Sequence, residues 1–393
     1  MHDTQVLPQI INHSSIDATR AFTVQISSDG GAADSRIETL LRDAGSGQVL
    51  GRSVLSFAEA SPKMELRAFA RAALQTGAYL EHFTVDPDAS ASATPVLLYA
   101  TARQARVAGR ITIVLDPRCD AAALRALGRF EPLPKVPILL GSRVDRVLSR
   151  AAEACNETGQ PLLPTFLIRE VIDTVNAFVA GIYQTGFFRA VQDGTLTREQ
   201  YVYFLSQAHH YVRYTTRILG RCVAHAHTPE LRSHFIKHLS GEINHELTIE
   251  KDLEYLGADP AYVREQMVPN TPTYQFLLAE LSLISHFQDP LWLTAAPLAV
   301  EGMAAHLQPE FLEHLQAIVA DWGMEDPCQA TRFLSSHINV DGGDDGHWES
   351  SVRLLGEYLI DEPTLRWFLA ALGVCTEALE RCYAAGVDDM ALW

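Results

Sequence analysis

The stretch HFIKHLSGEINHE, residues 234–246, carries imidazoles and carboxylates at the spacing of one helix face. Residues three, four and seven apart lie above one another along an α-helix. His238, Glu242 and His245 are therefore predicted to form one column, and the last two have the i, i+3 spacing of ligands in helical two-metal sites. An amphipathic helix with a solvated polar face would show the same pattern, so the stretch needs support from elsewhere in the chain.

Helical periodicity extends over the whole C-terminal part of the chain. From residue 165 onward, apolar residues recur at helical spacing and no strand pattern interrupts them. Thr197 followed by Gln200 forms a capping-box pattern, and Thr228-Pro229 places proline at a first helical position. The sequence therefore predicts an all-α bundle over residues 164–393. The predicted helices span residues 166–191, 197–225, 228–256, 259–268, 271–288, 290–306, 309–322, 326–338, 345–359 and 362–385.

The N-terminal third has mixed patterns, which predict a small α+β domain over residues 1–130. We expect this domain to serve as a PAS-type sensor module or in dimerisation. Prolines and glycines punctuate residues 131–163 around one short predicted helix, so this segment is predicted to be a linker. The elements predicted here are helices at 37–43, 64–76 and 142–154, and strands at 78–85, 94–102 and 110–116, the last two paired as a hairpin.

Composition narrows the class of protein. The chain has 393 residues, 47% hydrophobic and 20% charged, which suits two domains with sizeable cores. Its formal net charge of −17 has the wrong sign for neutralising phosphates, so we expect no nucleic-acid and no anionic-membrane partner. No apolar run has the length of a membrane helix, and the N-terminus lacks the pattern of a signal peptide. The six cysteines include no CxxC pair, so we expect a reduced, cytoplasmic protein.

Two further places carry candidate metal ligands. Glu301 stands alone in an apolar helical segment, where a buried carboxylate is costly unless it is protonated, paired or bound to a metal. His337 and Asp341 are four residues apart and so share a helix face. The alternatives are that Glu301 is exposed, that Asp341 caps a helix end and that His337 is a core histidine. Oxygen and imidazole donors without thiolate suit non-haem iron or manganese better than zinc.

The order and spacing of these residues resemble the haem-oxygenase-like di-iron oxidase and oxygenase superfamily. Glu301 follows His245 by 56 positions, and His337 follows Glu301 by 36, with Asp341 one turn later. The resemblance covers about residues 164–385. It implies a haem-oxygenase-like bundle that binds Fe(II), as two ions per chain, one ion or a Mn/Fe pair. It also implies dioxygen as co-substrate and a small amino-acid-like or natural-product substrate that undergoes N-oxygenation, desaturation or C–C cleavage.

The chain departs from this family at two ligand positions. The family usually supplies a glutamate from the preceding helix, and the matching position here contains His209 and His210, either of which is expected to replace it. His238 stands where many relatives carry a glutamate. The resemblance leaves the second metal site open to being weak or absent.

Other residues of the bundle have expected roles beside the metal. Tyr211 is expected either to line the substrate cavity or to pack in the core. Arg213 and Arg217, one turn apart, are candidates for clamping a substrate carboxylate. We also expect a homodimer.

Alternative functions keep the bundle and omit the metal. A thiaminase-II-like hydrolase would need a nucleophilic cysteine, for which Cys222 is the candidate. A cofactorless quinone-synthase-like enzyme and a ligand-binding sensor remain further alternatives. True haem binding would need a histidine early in the bundle, and residues 165–200 contain none.

Overall fold

The computed structural model describes residues 15–28, 36–57, 77–116, 119, 121–133, 136–287, 289–307, 309–341, 346–359 and 361–388. The described chain divides into two compact units. The sheet unit contains the described residues up to Ala177, together with residues 356–366. The helical unit contains residues 178–355 and the described residues from Trp367 onward.

The sheet unit is built on one eight-stranded sheet with the strand order β1-β2-β3-β4-β5-β6-β8-β7. Strands β1 to β5 form an antiparallel meander, and β5 and β6 pair in parallel. In β2, Phe22, Val24 and Ile26 alternate with more exposed residues, as expected of a strand with one buried face. The strands are β1 (Ser15–Asp17), β2 (Phe22–Ser28), β3 (Arg36–Asp43), β4 (Val49–Phe57), β5 (Gly77–Val85), β6 (Thr112–Leu115), β7 (Glu131–Leu133) and β8 (Val136–Arg143).

The prediction of a strand at 94–102, and of a hairpin with 110–116, is wrong. Residues Ala93–Val107 form helix α1, which connects the parallel strands β5 and β6. Parallel neighbours need such a crossover, whereas a hairpin joins antiparallel strands. The apolar run misled the prediction because α1 is buried along most of its length, and a fully buried helix lacks the polar face that reveals its period.

The helix predicted at 37–43 is also wrong, because these residues form β3. Strand β3 pairs with β2 on one side and β4 on the other, and these two ladders fix its backbone in the extended form. Local apolar spacing is a weaker constraint than two neighbouring strands. The helix predicted at 64–76 lies outside the described residues.

The segment 131–163 differs from the expected linker. It contributes strands β7 and β8, and β8 pairs with both β6 and β7. Helix α3 (Val144–Glu157) follows, close to the short helix predicted there, and α2 (Ala121–Gly128) precedes β7. Pro132 lies in β7, the edge strand of the sheet, where a residue that cannot donate to a ladder is tolerated.

A buried network of ion pairs holds α1 of the sheet unit. Arg103 is fully buried and pairs with Asp173, and its guanidinium lies 4.9 Å from the centre of the Phe166 ring. Arg106 pairs with Glu170 and, at 2.8 Å between Nη1 and Oε1, with Glu362. The partners come from the helices that begin at Pro164 and Glu362, so the network joins three helices. Removing one partner would leave a charge buried without compensation.

The helical unit confirms the predicted all-α region. The capping box of Thr197 and Gln200 is present, and the Thr228 hydroxyl accepts a hydrogen bond from the backbone N–H of Leu231. No described helix has both the length and the apolar composition needed to cross a membrane. The helices from residue 164 onward are α4 (Pro164–Ile182), α5 (Gly186–Gln192), α6 (Arg198–His225), α7 (Pro229–Gly241), α8 (His245–Tyr255), α9 (Pro260–Glu265), α10 (Thr271–Phe287), α11 (Ala295–Ala305), α12 (Pro309–Asp321), α13 (Arg332–Asp341), α14 (His347–Tyr358) and α15 (Glu362–Asp388), with 3₁₀ turns at Pro290–Thr294 and Pro327–Ala330.

The helix predicted over 228–256 is in fact two helices. Helix α7 ends at Gly241 and α8 begins at His245. Between them Asn244 adopts a left-handed backbone conformation with φ of 70°. Asparagine tolerates this conformation better than most residues, which makes a sharp break possible without glycine.

A carboxyl group on α10 lies in the bundle core. Glu280 is buried, and its Oε2 has no hydrogen-bond partner among the described residues. Burial raises the pKa of Glu280 from its usual value near 4.5 to about 8. The group is therefore mostly protonated in the folded protein at neutral pH, but ionised in the unfolded chain.

We predict that Glu280 makes stability fall as pH rises. Between about pH 4.5 and 8 the folded state holds a proton that the unfolded state has lost, so this group destabilises the fold progressively, by up to about 1.4 kcal/mol per pH unit. Glu280→Gln removes the titration, so its free energy of unfolding should exceed that of the wild type increasingly across this interval. Urea unfolding of both proteins at several pH values measures the difference, and a difference independent of pH would contradict it.

Candidate metal centre

Four side chains from α7, α11 and α14 converge on one point. His238 lies on α7, Glu242 caps its end, Glu301 lies on α11, and His347 begins α14. One ligand atom from each lies within 4.8 Å of those of the others. His238 Nε2 is 2.7 Å from Glu301 Oε1 and 3.8 Å from Glu242 Oε1. These four residues are called the first ligand group.

A second ligand group adjoins the first and shares Glu242. It consists of Glu242, His245 and His337, whose ligand atoms also lie within 4.8 Å of one another. His245 Nδ1 lies 2.8 Å from Glu242 Oε2, and the rings of His245 and His337 are 4.8 Å apart. The ring of His337 is oriented through Nδ1, which lies 2.9 Å from the carbonyl oxygen of Phe333, so Nε2 remains available for a ligand.

The two oxygens of Glu242 face different groups. Oε1 lies 3.8 Å from His238 Nε2 and 3.6 Å from His347 Nδ1, both in the first group. Oε2 faces His245 in the second group. A carboxylate placed in this way can bridge two metal ions.

The electrostatics keep Glu242 ionised. Burial favours the protonated acid, but the contact with the His245 ring and the charges of the neighbouring histidines outweigh burial and lower the pKa of Glu242 to about 2. A carboxylate that is permanently ionised at neutral pH is the form that binds a metal cation.

The donor set and an unpaired oxygen both fit a metal ion. Glu301 is 4% exposed, and its Oε2 has no hydrogen-bond partner in the part of the chain that the structure describes. A buried carboxylate oxygen without a partner is costly, and a bound cation would satisfy it. The two groups offer only carboxylate and imidazole donors, which suit iron or manganese.

The break between α7 and α8 shapes the centre. Glu242 and His245 flank the left-handed Asn244, so the carboxylate and the imidazole project from two different helices. Gly241 permits the close approach of α14, since a Cβ at this position would lie 2.7 Å from His347 Nε2. Any side chain at residue 241 must therefore displace the His347 ring.

Of the predicted ligands, the structure brings His238, Glu242, His245, Glu301 and His337 together. The expected single column on one helix is replaced by two helix ends with a turn between them. Asp341 is the last residue of α13, one turn after His337, and its side chain lies outside the described residues.

Sequence reasoning missed His347 as a candidate ligand. This histidine begins α14, and the helical spacing that marks the other candidate ligands holds only within one helix. The available signal was a histidine at the start of a predicted helix just beyond a pair of candidate ligands.

His209 and His210 belong to neither ligand group. His209 Nε2 lies 3.1 Å from Glu250 Oε1 on α8. His210 is 1% exposed, and burial lowers its pKa to about 4. The replacement ligand expected from α6 is therefore not among the side chains that converge.

Tyr211 and Arg213 also make contacts elsewhere. Tyr211 is buried, pairs with Tyr383 and packs edge-on against Phe276 at 5.3 Å between ring centres. Arg213 donates from Nη1 to the carbonyl oxygen of Arg264 at 2.9 Å. Tyr211 therefore lies in the core, and one guanidinium nitrogen of Arg213 is hydrogen-bonded to the backbone.

The candidate nucleophile Cys222 is a buried thiol. Burial raises its pKa to about 12, so the reactive thiolate is scarce at neutral pH. This environment disfavours the hydrolase alternative.

We predict that Gly241→Ala damages the first ligand group without unfolding the protein. The new methyl group would collide with the His347 ring, so affinity for Co(II), measured by calorimetry, should fall at least tenfold. Gly220→Ala on α6 is the matched control, because no atom within 4 Å opposes a Cβ there. Equal Co(II) affinities in the two variants would contradict the assigned role of Gly241.

Comparisons with known proteins bear on the fold. No protein-family model matches the sequence, and no curated protein matches it. A domain of unknown function with a haem-oxygenase-like fold from Shewanella denitrificans is 18% identical, with a TM-score of 0.50, over 57% of this chain and 94% of its own. A TenA homologue from Pseudomonas syringae is 12% identical (TM-score 0.45, 57% and 92%), and a CADD-like protein of unknown function from Nostoc punctiforme is 16% identical (TM-score 0.42, 58% and 96%).

The Shewanella structure supports an assignment of fold alone, because its sequence identity is low. Its fold is all-helical, as are the residues of this chain that carry both ligand groups. The helical unit of this protein has a haem-oxygenase-like fold.

Proposed function

We propose that the helical unit is a non-haem di-iron oxidase or oxygenase that uses dioxygen to oxidise a small amino-acid-like or natural-product substrate. The observation that carries the proposal is the position of Glu242, whose two oxygens face two adjacent ligand groups. A single-ion site would need only one of these groups.

The residues divide between two ions. His238, Glu301 and His347 would hold the first, His245 and His337 would hold the second, and Glu242 would bridge them. Asp341, one turn after His337, is the candidate to complete the second group. When bound, a pair of ferrous ions supplies the electrons and the open coordination positions needed to reduce dioxygen.

The chain's own residues prepare the site before an ion binds. His238 Nε2 and Glu301 Oε1 lie 2.7 Å apart, within hydrogen-bonding distance. An ion that takes both atoms would replace this contact and would compete with protons for the imidazole nitrogen, so metal binding should weaken as pH falls. Glu242 is already ionised near neutral pH, because its pKa is about 2.

Burial excludes water from the first group. His238 and Glu301 are each 4% exposed, and Glu242 is 7% exposed. A low-dielectric surrounding would strengthen the interaction between these charged side chains and a bound ion. The protein's part in oxidation is thus to hold the metal-binding side chains in place, to limit the access of water and to leave coordination positions on the ions free.

The first test is metal content after anaerobic reconstitution with Fe(II) and desalting. We expect close to two ions in the wild type, about one in His347→Ala and in His337→Ala, and less than one in Glu242→Ala, since Glu242 serves both ions. Circular dichroism must show that each variant is folded. If the folded double variant His245→Ala, Glu301→Ala bound as much metal as the wild type, these two residues would be excluded from the site. If the wild type itself bound no metal, the sensor alternative would be favoured.

The second test concerns Asp341. We expect Asp341→Ala to abolish oxygen uptake by the ferrous protein while the bundle stays folded, because the second ion would lose a carboxylate ligand. An oxygen electrode measures uptake after anaerobic loading, and circular dichroism reports the fold. Asp321→Ala, at an exposed helix end, is the control. Undiminished uptake in Asp341→Ala would remove Asp341 from the ligand set.

A further inference from the structure

The helix that carries His337 is capped by an aspartate from another helix. Asp252 lies on α8 and is fully buried. Its Oδ2 accepts a hydrogen bond from the backbone N–H of Phe333 at 2.9 Å. Phe333 is the second residue of α13, and the first N–H groups of a helix have no partner within that helix. Asp252 therefore supplies, from α8, the acceptor that a helix start usually takes from the residue just before it.

The residue just before α13 is engaged elsewhere. Thr331 precedes the helix, and threonine commonly caps a helix by accepting a backbone hydrogen bond. Here its hydroxyl donates to the carbonyl oxygen of Pro327 at 3.2 Å and accepts from Gln316 Nε2 at 3.1 Å. The N–H of Phe333 is thus satisfied by Asp252 rather than by the adjoining chain.

This contact lies on the same two helix faces as the second ligand group. Asp252 follows His245 by seven residues on α8, and His337 follows Phe333 by four on α13, so each pair shares a face. The two helices therefore meet at two levels. At one level the Asp252 carboxylate holds the Phe333 backbone, and at the other the rings of His245 and His337 lie 4.8 Å apart.

Phe333 in turn fixes the ring of His337. Its carbonyl oxygen accepts a hydrogen bond from His337 Nδ1 at 2.9 Å, and the two rings pack with their centres 4.4 Å apart. Outer partners of this kind orient a metal-binding histidine, and their loss commonly lowers metal affinity about 10- to 100-fold. A displaced Phe333 backbone would therefore move the Nε2 atom that His337 offers to an ion.

The burial of a carboxyl group at this place carries a cost. Oδ1 of Asp252 has no hydrogen-bond partner among the described residues, and it lies 3.7 Å from Nη1 of the partly exposed Arg332. A buried polar atom without a hydrogen bond costs about 1–3 kcal/mol. The attraction between a carboxylate and the N-terminal end of a helix offsets part of this cost. A costly group is thus placed where α8 holds the start of α13.

We infer that Asp252 is a positioning residue for the second metal ion of the proposed centre. By holding the backbone of Phe333, it sets where His337 presents Nε2 beside His245 and Glu242. Asp252 itself belongs to neither ligand group. The inference rests on the proposed two-ion site and adds to it a residue whose effect is confined to the second ion.

The experiment measures Co(II) binding to the full-length protein by calorimetry in two backgrounds. His347→Ala disables the first ligand group and so reports on the second, whereas His337→Ala does the reverse. We expect Asp252→Ala to weaken Co(II) binding at least tenfold in the His347→Ala background and to leave it unchanged in the His337→Ala background. In the otherwise wild-type protein, the same change should weaken the binding of one of two ions.

A conservative variant and a matched control separate positioning from general stability. Asp252→Asn should restore Co(II) binding in the His347→Ala background, because its amide oxygen can still accept from the Phe333 N–H. Burial raises the pKa of Asp252 to about 7, so near neutral pH the native side chain is itself partly neutral. Thr197→Ala is the control, because it removes a side-chain cap from α6, which carries no member of either ligand group. It should leave Co(II) binding unchanged in both backgrounds.

Circular dichroism and the melting temperature check that each variant is folded. If Asp252→Ala does not fold, Asp252→Leu takes its place, since leucine fills the space of the carboxyl group without offering an acceptor. Undiminished Co(II) affinity of either folded variant in the His347→Ala background would overturn this inference alone. Equal weakening in both backgrounds, or failure of both variants to fold, would make Asp252 a purely structural residue and also overturn it. A wild type that binds no Co(II) would instead overturn the proposed metal centre.

Discussion

The candidate metal centre depends on the shared carboxylate of Glu242. Its position follows from the end of α7, where Gly241 and Asn244 allow the chain to stop one helix and start another within three residues. The histidines on both sides keep the carboxylate ionised despite its burial. Without this break, the two ligand groups would not meet at one residue. The same turn lets α14 approach closely enough for His347 to join.

Burial of polar groups is a recurring feature of both units. In the sheet unit, Arg103 and Arg106 are compensated by carboxylates from other helices. In the helical unit, Glu301 and His210 retain buried polar atoms with no partner among the described residues. Fully paired charges fix the packing of helices, whereas unpaired ones mark places where a ligand would supply the missing contact. This contrast separates the structural network from the candidate metal centre.

Much of the bundle could be predicted from apolar spacing and helix-start signals, because residues such as Thr197 and Thr228 cap helices through local contacts. The sheet unit was harder to predict. Residues 37–43 form β3 because two other strands flank them. The sequence of α1 resembles that of a strand because this helix is buried on nearly all sides and lacks a polar face. In both cases contacts distant in sequence override the local pattern.

The sequence by itself determined the chemical identity of the ligands and their separations along the chain, which suffice to indicate imidazole and carboxylate donors on several helices. Only the tertiary structure decided that Glu242 serves two groups, that His347 joins the first, and that His209 and His210 stand apart. Helical spacing specifies which side chains share a face of one helix. It cannot specify how helices joined by turns and loops meet, since that depends on packing between residues far apart in the chain.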